Sequence, residues 1–353
     1  MGRPAVSVRL IQDHGSWNRL LDGLGGLADV YFRPAYAALY ARPGDVNELF
    51  VFEQGGETFL LPWLVREIES QSDRPLFDFE TAYGYGGPLS TSDDAAFLAA
   101  AWEALVAHCR ARGVVCGFIR FHPLLDNHRW AAHGAVTVID DRQTVALTLS
   151  KDRDTVLAGY ASETRRKVRK AEQAGVVVTG RADQAALEVF ARLYETHMRE
   201  LDAHEDYFFG DDYFRAIPSL GANSWRVYLA EREGEVLGGA LILLSARWAH
   251  YHLSSSLKAY TAFGPNNLLR HAVTMDLLGG GRERLHYGGG RTAAADDSLL
   301  RFKAGYSPER TTFRFGKVMI DRAAYDSVCA GWAQDHPDLV ERFGGRFLKY
   351  RYR

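Results

Sequence analysis

The sequence carries one strand-and-turn pattern twice, and a fold for this chain has to accommodate both copies. Residues Glu48–Trp63 read as strand, tight turn, strand, and Trp225–Leu244 read the same way. The turns, Glu53-Gln-Gly-Gly-Glu57 and Glu231-Arg-Glu-Gly-Glu235, lie between β-rich flanks, the pattern of a short hairpin. Each hairpin is followed by an aromatic strand ending in small residues, Tyr83-Gly-Tyr-Gly-Gly-Pro88 in one copy and Tyr251-His-Leu-Ser-Ser-Ser256 in the other. An amphipathic helix and a short strand come next, over 94–112 and 114–121 in the first copy and over 265–278 and 284–287 in the second. An order of strand, strand, strand, helix, strand repeated at an offset of roughly 170–180 residues predicts two α/β modules with mixed α+β sheets. Helices over 152–175, closed by Gly175, and over 184–201 introduce the second copy. We place the first module at 1–148, completed by the C-terminal segment 316–353, and the second at 149–315.

Bulk properties narrow the class. With 353 residues, 47% of them hydrophobic, the chain buries a large core and is folded throughout. A formal charge of −2 supplies no overall field for nucleic acid, so DNA is not expected as a partner and any RNA contact rests on a local patch. Cys109, Cys116 and Cys329 are odd in number and lack metal-ligand spacing, which predicts buried reduced thiols, no disulfide and a cytoplasmic protein. No secretory signal is read at the N-terminus, and Val236–Leu244 falls far short of the roughly 20 apolar residues needed to span a bilayer.

Several short motifs then occur in a fixed order. They are Tyr83-Gly-Tyr-Gly-Gly-Pro88, Arg120-Phe-His-Pro123, Arg165-Arg-Lys-Val-Arg-Lys-Ala171, and Tyr194-Glu-Thr-His-Met198 with Tyr207-Phe-Phe209. Pro265-Asn-Asn-Leu-Leu269, Tyr287-Gly-Gly-Gly290 and Asp297-Ser-Leu-Leu-Arg-Phe-Lys-Ala-Gly-Tyr306 complete the series. In order and spacing, from about Asp29 to Tyr325, the chain resembles the FemABX family. The resemblance implies two tandem acetyltransferase-like (GNAT) modules. It also implies transfer of an aminoacyl group from aminoacyl-tRNA to an amine of a peptide or small molecule, with aminoacyl-tRNA as co-substrate and no cofactor. In the family the Phe-Lys pair of the last motif lies at the reaction centre, which assigns Phe302 and Lys303 here. Tyr83, Tyr85, Gly86, His122, His204, Tyr207 and Asn266 are candidate substrate contacts, the glycines between the tyrosines allowing the backbone to approach a ligand closely. A lysine in an amphipathic segment otherwise extends its ammonium to solvent, and tyrosine–glycine runs otherwise serve as turns.

An aminoacyl ester is already activated, so its transfer requires a deprotonated amine held beside the carbonyl. The chain agrees in having no Gly-x-Ser-x-Gly elbow, no Walker loop and no His-Glu-x-x-His. No metal is expected: His250-Tyr-His252 lacks a third ligand nearby in sequence, and the glycine runs at 279–281 and 288–290 read as turns. Lys303 would stabilise the tetrahedral oxyanion or orient the donor's terminal ribose and phosphate. Tyr251, His252 or a water would take the proton.

Two positions depart from the peptidoglycan-acting relatives. His122 stands where they often carry Asp, and Asp202-Ala-His-Glu-Asp-Tyr-Phe208 is acidic where they offer Arg, which points to a cationic or neutral amine as acceptor. Arg165, Arg166, Lys167, Arg169 and Lys170 on one helix are the candidate tRNA contacts, the alternative being a solvated face. The tail residues Arg342, Arg346, Lys349, Arg351 and Arg353 either meet RNA or belong to an edge strand. Other readings are an acyl-CoA-dependent N-acyltransferase, against which Pro265 removes an amide from the loop 259–267, and a non-catalytic binding module.

Overall fold

The computed structural model describes residues 6–70 and 72–353. The chain forms two compact units, Met1–Asp141 with Phe313–Arg353, and Arg142–Thr312.

In the first unit β1 (Val6–Ile11) is the antiparallel edge partner of β2 (Val46–Gln54), with α1 (His14–Asp22) and α2 (Pro34–Ala38) between them. β2 and β3 (Glu57–Ile68) form the first hairpin, and Gly55 and Gly56 turn it at φ of +63° and +88°, backbone that side chains resist. β3 pairs antiparallel with β4 (Leu76–Glu80) and with the short β5 (Leu89–Ser90). The strand therefore ends at Glu80, and Tyr83–Pro88, expected to close it, is irregular chain with a single bridge from Gly86 to Phe121. α3 (Ala95–Ala111), capped by the Asp94 carboxylate on the Phe97 amide, buries Phe97, Trp102 and Leu105. It leads to β6 (Val114–Arg120), parallel to β4. β7 (Val136–Thr148) follows.

The second unit repeats this order. α4 (Arg153–Ala158), α5 (Ser162–Gln173), β8 (Val177–Arg181), α6 (Gln184–Glu200) and α7 (Gly210–Ala216) precede the hairpin of β9 (Trp225–Arg232) and β10 (Glu235–Leu244). The hairpin turn places Glu233 and Gly234 at φ of +53° and +85°, so the local geometry matches the first copy with one non-glycine residue in it. β11 (Trp248–Ser256) is antiparallel to β10; α8 (Pro265–Leu277) then crosses to β12 (Arg284–Gly289), parallel to β11. α8 turns Leu268, Leu269, Val273 and Leu277 into the core of this unit, where truncation of any one costs about 2–5 kcal/mol. Residues 144–148 of β7 pair antiparallel with β12, and α9 (Ser298–Ala304) ends the repeat.

β13 (Arg310–Met319) returns the chain, its residues 315–319 pairing antiparallel with β6. α10 (Arg322–Asp335) and α11 (Val340–Phe343) bury Tyr325, Val328, Trp332 and Phe343 beside Ile68, Leu76 and Cys116. The tail is not an edge strand. Lys349–Arg351 forms a 3-10 turn that buries Tyr350, whose hydroxyl donates to Asp78 at 3.0 Å, and Arg351 pairs with the same carboxylate at 2.9 Å. Phe347 and Tyr352, on either side of that turn, pack against the same core cluster as Tyr350. Burial of Cys109 pushes its thiol up to about 12, so it does not ionise near neutrality.

Candidate active site

β11 and β12 keep parallel register only over Trp248–His250 and Arg284–His286. Just beyond, both strands are irregular. His252 is an extra residue against β10, because Leu241 faces Leu253 and Ile242 faces Tyr251; Tyr287 is an extra residue against β7, between His286 and Gly288. The bulges open the sheet at Tyr251 and Tyr287, whose ring centroids are 6.3 Å apart.

Two further elements meet there. The Asp297 carboxylate starts α9 by accepting from the amides of Leu299 and Leu300 at 2.9 Å, and it accepts from Arg291 and Thr292 at 3.1 Å, fastening the loop after β12 to the helix. Those amides hold its carboxyl down to about 2. α9 then carries Phe302 and Lys303, both half-buried, and the Lys303 ammonium donates to the Gly289 carbonyl at 2.6 Å. Gly288, at φ +81°, lets the lysine pass: a Cβ there would stand 3.1 Å from Nζ.

α8 supplies Arg270, which is 3% exposed. Its guanidinium lies 4.3 Å from the Tyr251 ring centroid, 4.8 Å from that of Phe302, and 5.8 Å from those of Tyr287 and Tyr306. Such contacts with aromatic faces favour the cation. Burial, then the Arg270 charge, lower the Lys303 ammonium to about 7, with Asp297 acting in the opposite sense. Burial raises the Tyr251 hydroxyl above its ordinary range, so it is a proton donor near neutrality. The cluster is thus rich in donors beside a lysine that exchanges its proton at neutral pH, a setting suited to charge that develops on an oxygen.

Lys303, Phe302 and Tyr251 come together in this cluster. His252 is engaged elsewhere, sharing a 2.7 Å hydrogen bond with the Tyr213 hydroxyl of α7, and burial with His250 nearby lowers it to about 3, leaving it neutral. Asn266 donates to Ser256 at 2.6 Å, tying the start of α8 to the end of β11. His204, just before the turn Glu205–Tyr207, and Tyr207, its last residue, are exposed.

The expected contacts of the first unit have structural partners within it. The His122 Nε2 lies 2.8 Å from Asp29, its Nδ1 accepts from the Leu124 amide at 3.3 Å, and both side chains are buried. Gly86 packs its Cα face on Thr81, where a Cβ would approach to 3.1 Å, and its carbonyl accepts from Asn127 at 2.8 Å. The Tyr85 ring is edge-on to Tyr31 at 5.2 Å, and the Tyr83 carbonyl accepts from Tyr36 at 2.7 Å while its ring is 43% exposed.

On the basic helix α5, Arg165 is half-buried and donates to the carbonyl of Tyr160 at 2.5 Å and to Leu157 at 3.3 Å, closing the end of α4. Lys167 pairs with Glu163 at 2.8 Å, and Arg166, Arg169 and Lys170 are exposed. Arg270 itself was not among the residues expected from sequence. A lone arginine in an amphipathic helix reads as solvated, and the rings that enclose it come from β11, β12 and the α9 region.

Comparison with known proteins agrees with this architecture. Residues 158–304 match the acetyltransferase (GNAT) domain family. A curated relative, the UDP-N-acetylmuramoylpentapeptide-lysine N(6)-alanyltransferase of Weissella viridescens, is 25% identical over 247 residues, 64% of this chain and 71% of the relative. Among solved structures, that of FemX superposes with a TM-score of 0.69 at 14% identity, covering 91% of this chain and 99% of FemX. A tandem GNAT protein from the clavulanic acid biosynthesis pathway superposes with a TM-score of 0.51 at 14% identity, covering 88% and 98% of the two chains.

Proposed function

We propose that this chain is an aminoacyltransferase of the FemABX type that moves an aminoacyl group from aminoacyl-tRNA to the amine of a peptide or small-molecule acceptor, a reading supported by its likeness to the Weissella viridescens alanyltransferase and to FemX. The observation that carries this reading is Lys303, half-buried beside Phe302 where β11 and β12 part, its ammonium held by Gly289 and lowered to about 7. In the reaction the acceptor nitrogen attacks the ester carbonyl, the C–N bond forms and the C–O bond to ribose breaks. The proton lost by the amine ends on the ribose hydroxyl. Lys303 as an ammonium stabilises the oxyanion, and a group of that acidity also hands a proton to the leaving oxygen. No cofactor is called for by this chemistry. Exposed Arg166, Arg169 and Lys170 offer the RNA a local basic face, and the acidic stretch Asp202–Phe208 favours a cationic or neutral amine as acceptor.

The test is mass spectrometry of purified protein with a charged tRNA pool, or with acyl-CoA, over a panel of amines and amino-terminated peptides. Amide product with charged tRNA and none with acyl-CoA is the expected result. Product with acyl-CoA alone would sink the proposal.

A further inference from the structure

The cage around Arg270 has more donors than acceptors. Nε of Arg270 is buried without an acceptor, and among the described residues no carboxylate or carbonyl meets its guanidinium. The Tyr251 hydroxyl is likewise buried without a partner. The hydroxyls of two of the rings facing Arg270 are committed, Tyr287 to Thr274 at 2.6 Å and Tyr306 to the backbone and side chain of Asn267 at 3.1 and 3.2 Å, while that of Tyr160, whose ring is 5.2 Å from Tyr306, is also buried without a partner. The carboxylate near Lys303, Asp297, is occupied by backbone amides. Removing an arginine from water without a counter-charge is costly, and aromatic faces return part of that cost but accept no N–H bond. A cation kept buried and unpaired, with an unpaired hydroxyl on the ring beneath it, is a site in want of an anion.

Chemistry and position narrow which anion. A guanidinium presents paired N–H groups in one plane, the geometry that grips a phosphate or carboxylate by two bonds, and ring faces satisfy none of them. The start of α8 touches the basic helix α5: a Cβ on Gly264 would stand 3.6 Å from Ala171. Exposed Arg166, Arg169 and Lys170 on α5 favour approach of a polyanion over that of a lone carboxylate.

We infer that Arg270 is the binding residue for a phosphate ester of the acyl donor, with the Tyr251 hydroxyl as a second donor to the same group. The inference rests on the transferase reading only for which molecule brings the phosphate, the 3′ end of an RNA or coenzyme A. A seated phosphate also offsets the Arg270 charge beside Lys303, leaving the lysine protonated when the donor is in place.

Binding of a fluorescent RNA hairpin ending in a single-stranded CCA, and of CoA by calorimetry, is measured for the wild type, R270Q and Y251F, with thermal melts of each. R270Q is expected to weaken RNA binding about tenfold or more, the worth of a charge-assisted bond, and to lower the slope of log affinity against log salt by about one. Y251F, which removes an orphaned hydroxyl and leaves the ring, weakens binding about threefold or more with an unchanged or raised Tm, and decides the matter should R270Q fold poorly. CoA binding with the same Arg270 and Tyr251 dependence, and no RNA binding, keeps the phosphate site while removing aminoacyl-tRNA as donor. RNA binding that is equal in the wild type and both variants overturns the phosphate site and leaves the transferase reading standing; a wild type that binds neither probe overturns the site as well.

Discussion

The Lys303 ammonium reaches from α9 to the carbonyl of Gly289, at the end of β12, and so holds its charge where β11 and β12 have already parted. Replacing it with methionine keeps most of the stem and removes the charge. K303M is expected to cut the single-turnover rate roughly a hundredfold, about 3 kcal/mol, with donor affinity changed far less. K303R restores a cation but spreads it over a planar fork that does not titrate near neutrality, so it recovers little activity. In the wild type kcat/KM falls as pH rises through about 7, where the free enzyme loses the ammonium, and K303R lacks that limb.

The same lysine has a signature in stability. Its folded pKa, about 7, lies below the ordinary 10.5, so the unfolded chain binds more protons between those values. Wild-type stability therefore rises with pH across that window, and below pH 7 the full penalty of burying the ammonium is present. K303M is expected to be more stable than the wild type by about 1–2 kcal/mol at pH 7, a figure discounted for the exposed part of the side chain, with the gap shrinking toward pH 10. Urea melts at a series of pH values measure it, and a K303M protein less stable at pH 7 would contradict the burial of the charge.

Much of the fold was legible because its signals are local. Turn residues at Gly55–Gly56 and Glu233–Gly234 mark both hairpins, and the apolar spacing of Leu268, Leu269, Val273 and Leu277 marks α8. Phe302 and Lys303 became candidates through the FemABX resemblance and not through any property of the pair by itself. Arg270, the bulges at His252 and Tyr287, and the irregular path of Tyr83–Pro88 were not legible. Each depends on chain brought in from far away: rings that enclose the arginine, register against β10 and β7, and the Asn127 side chain that holds the Gly86 carbonyl.

Gly288 tests whether the lysine's path matters. Alanine there has to adopt φ +81° and to place its methyl 3.1 Å from Nζ. The strained backbone costs about 1–2 kcal/mol, and the methyl displaces the ammonium from Gly289. G288A should lose activity by an amount approaching that of K303M while circular dichroism reports a folded protein. Wild-type turnover in G288A would mean that the Lys303–Gly289 bond is dispensable.

Asp297 positions the lysine through the backbone. Its pKa, about 2, is below the ordinary 3.8, so the stability it contributes is complete above about pH 4 and is lost as pH falls through about 2. D297A removes the cap of α9 and with it the groups that fix the Gly290–Thr292 loop. It also removes the charge that opposes the lowering of Lys303, so the basic limb of the kcat/KM profile should move to lower pH. D297N keeps an acceptor for the amides and separates the two effects: the cap is largely retained, measured by the thermal melt, and the limb still moves.

The basic helix α5 contains two kinds of arginine, and substitution should distinguish them. Arg165 spends its guanidinium on the carbonyls that end α4, so R165A is expected to lower the Tm by several degrees, the result of about 1 kcal/mol or more, with little change in RNA affinity. Arg166, Arg169 and Lys170 point into solvent, and R166E, R169E and K170E are expected to leave the Tm within a degree or two. If the donor RNA lies along this face, each of the three weakens binding several-fold at low salt, and the loss fades as added salt screens the charge. Lys167, already paired with Glu163, gives a smaller change. Equal RNA affinity across all of these variants at low ionic strength would exclude α5 as the contact and move the search for the RNA surface to another part of the molecule.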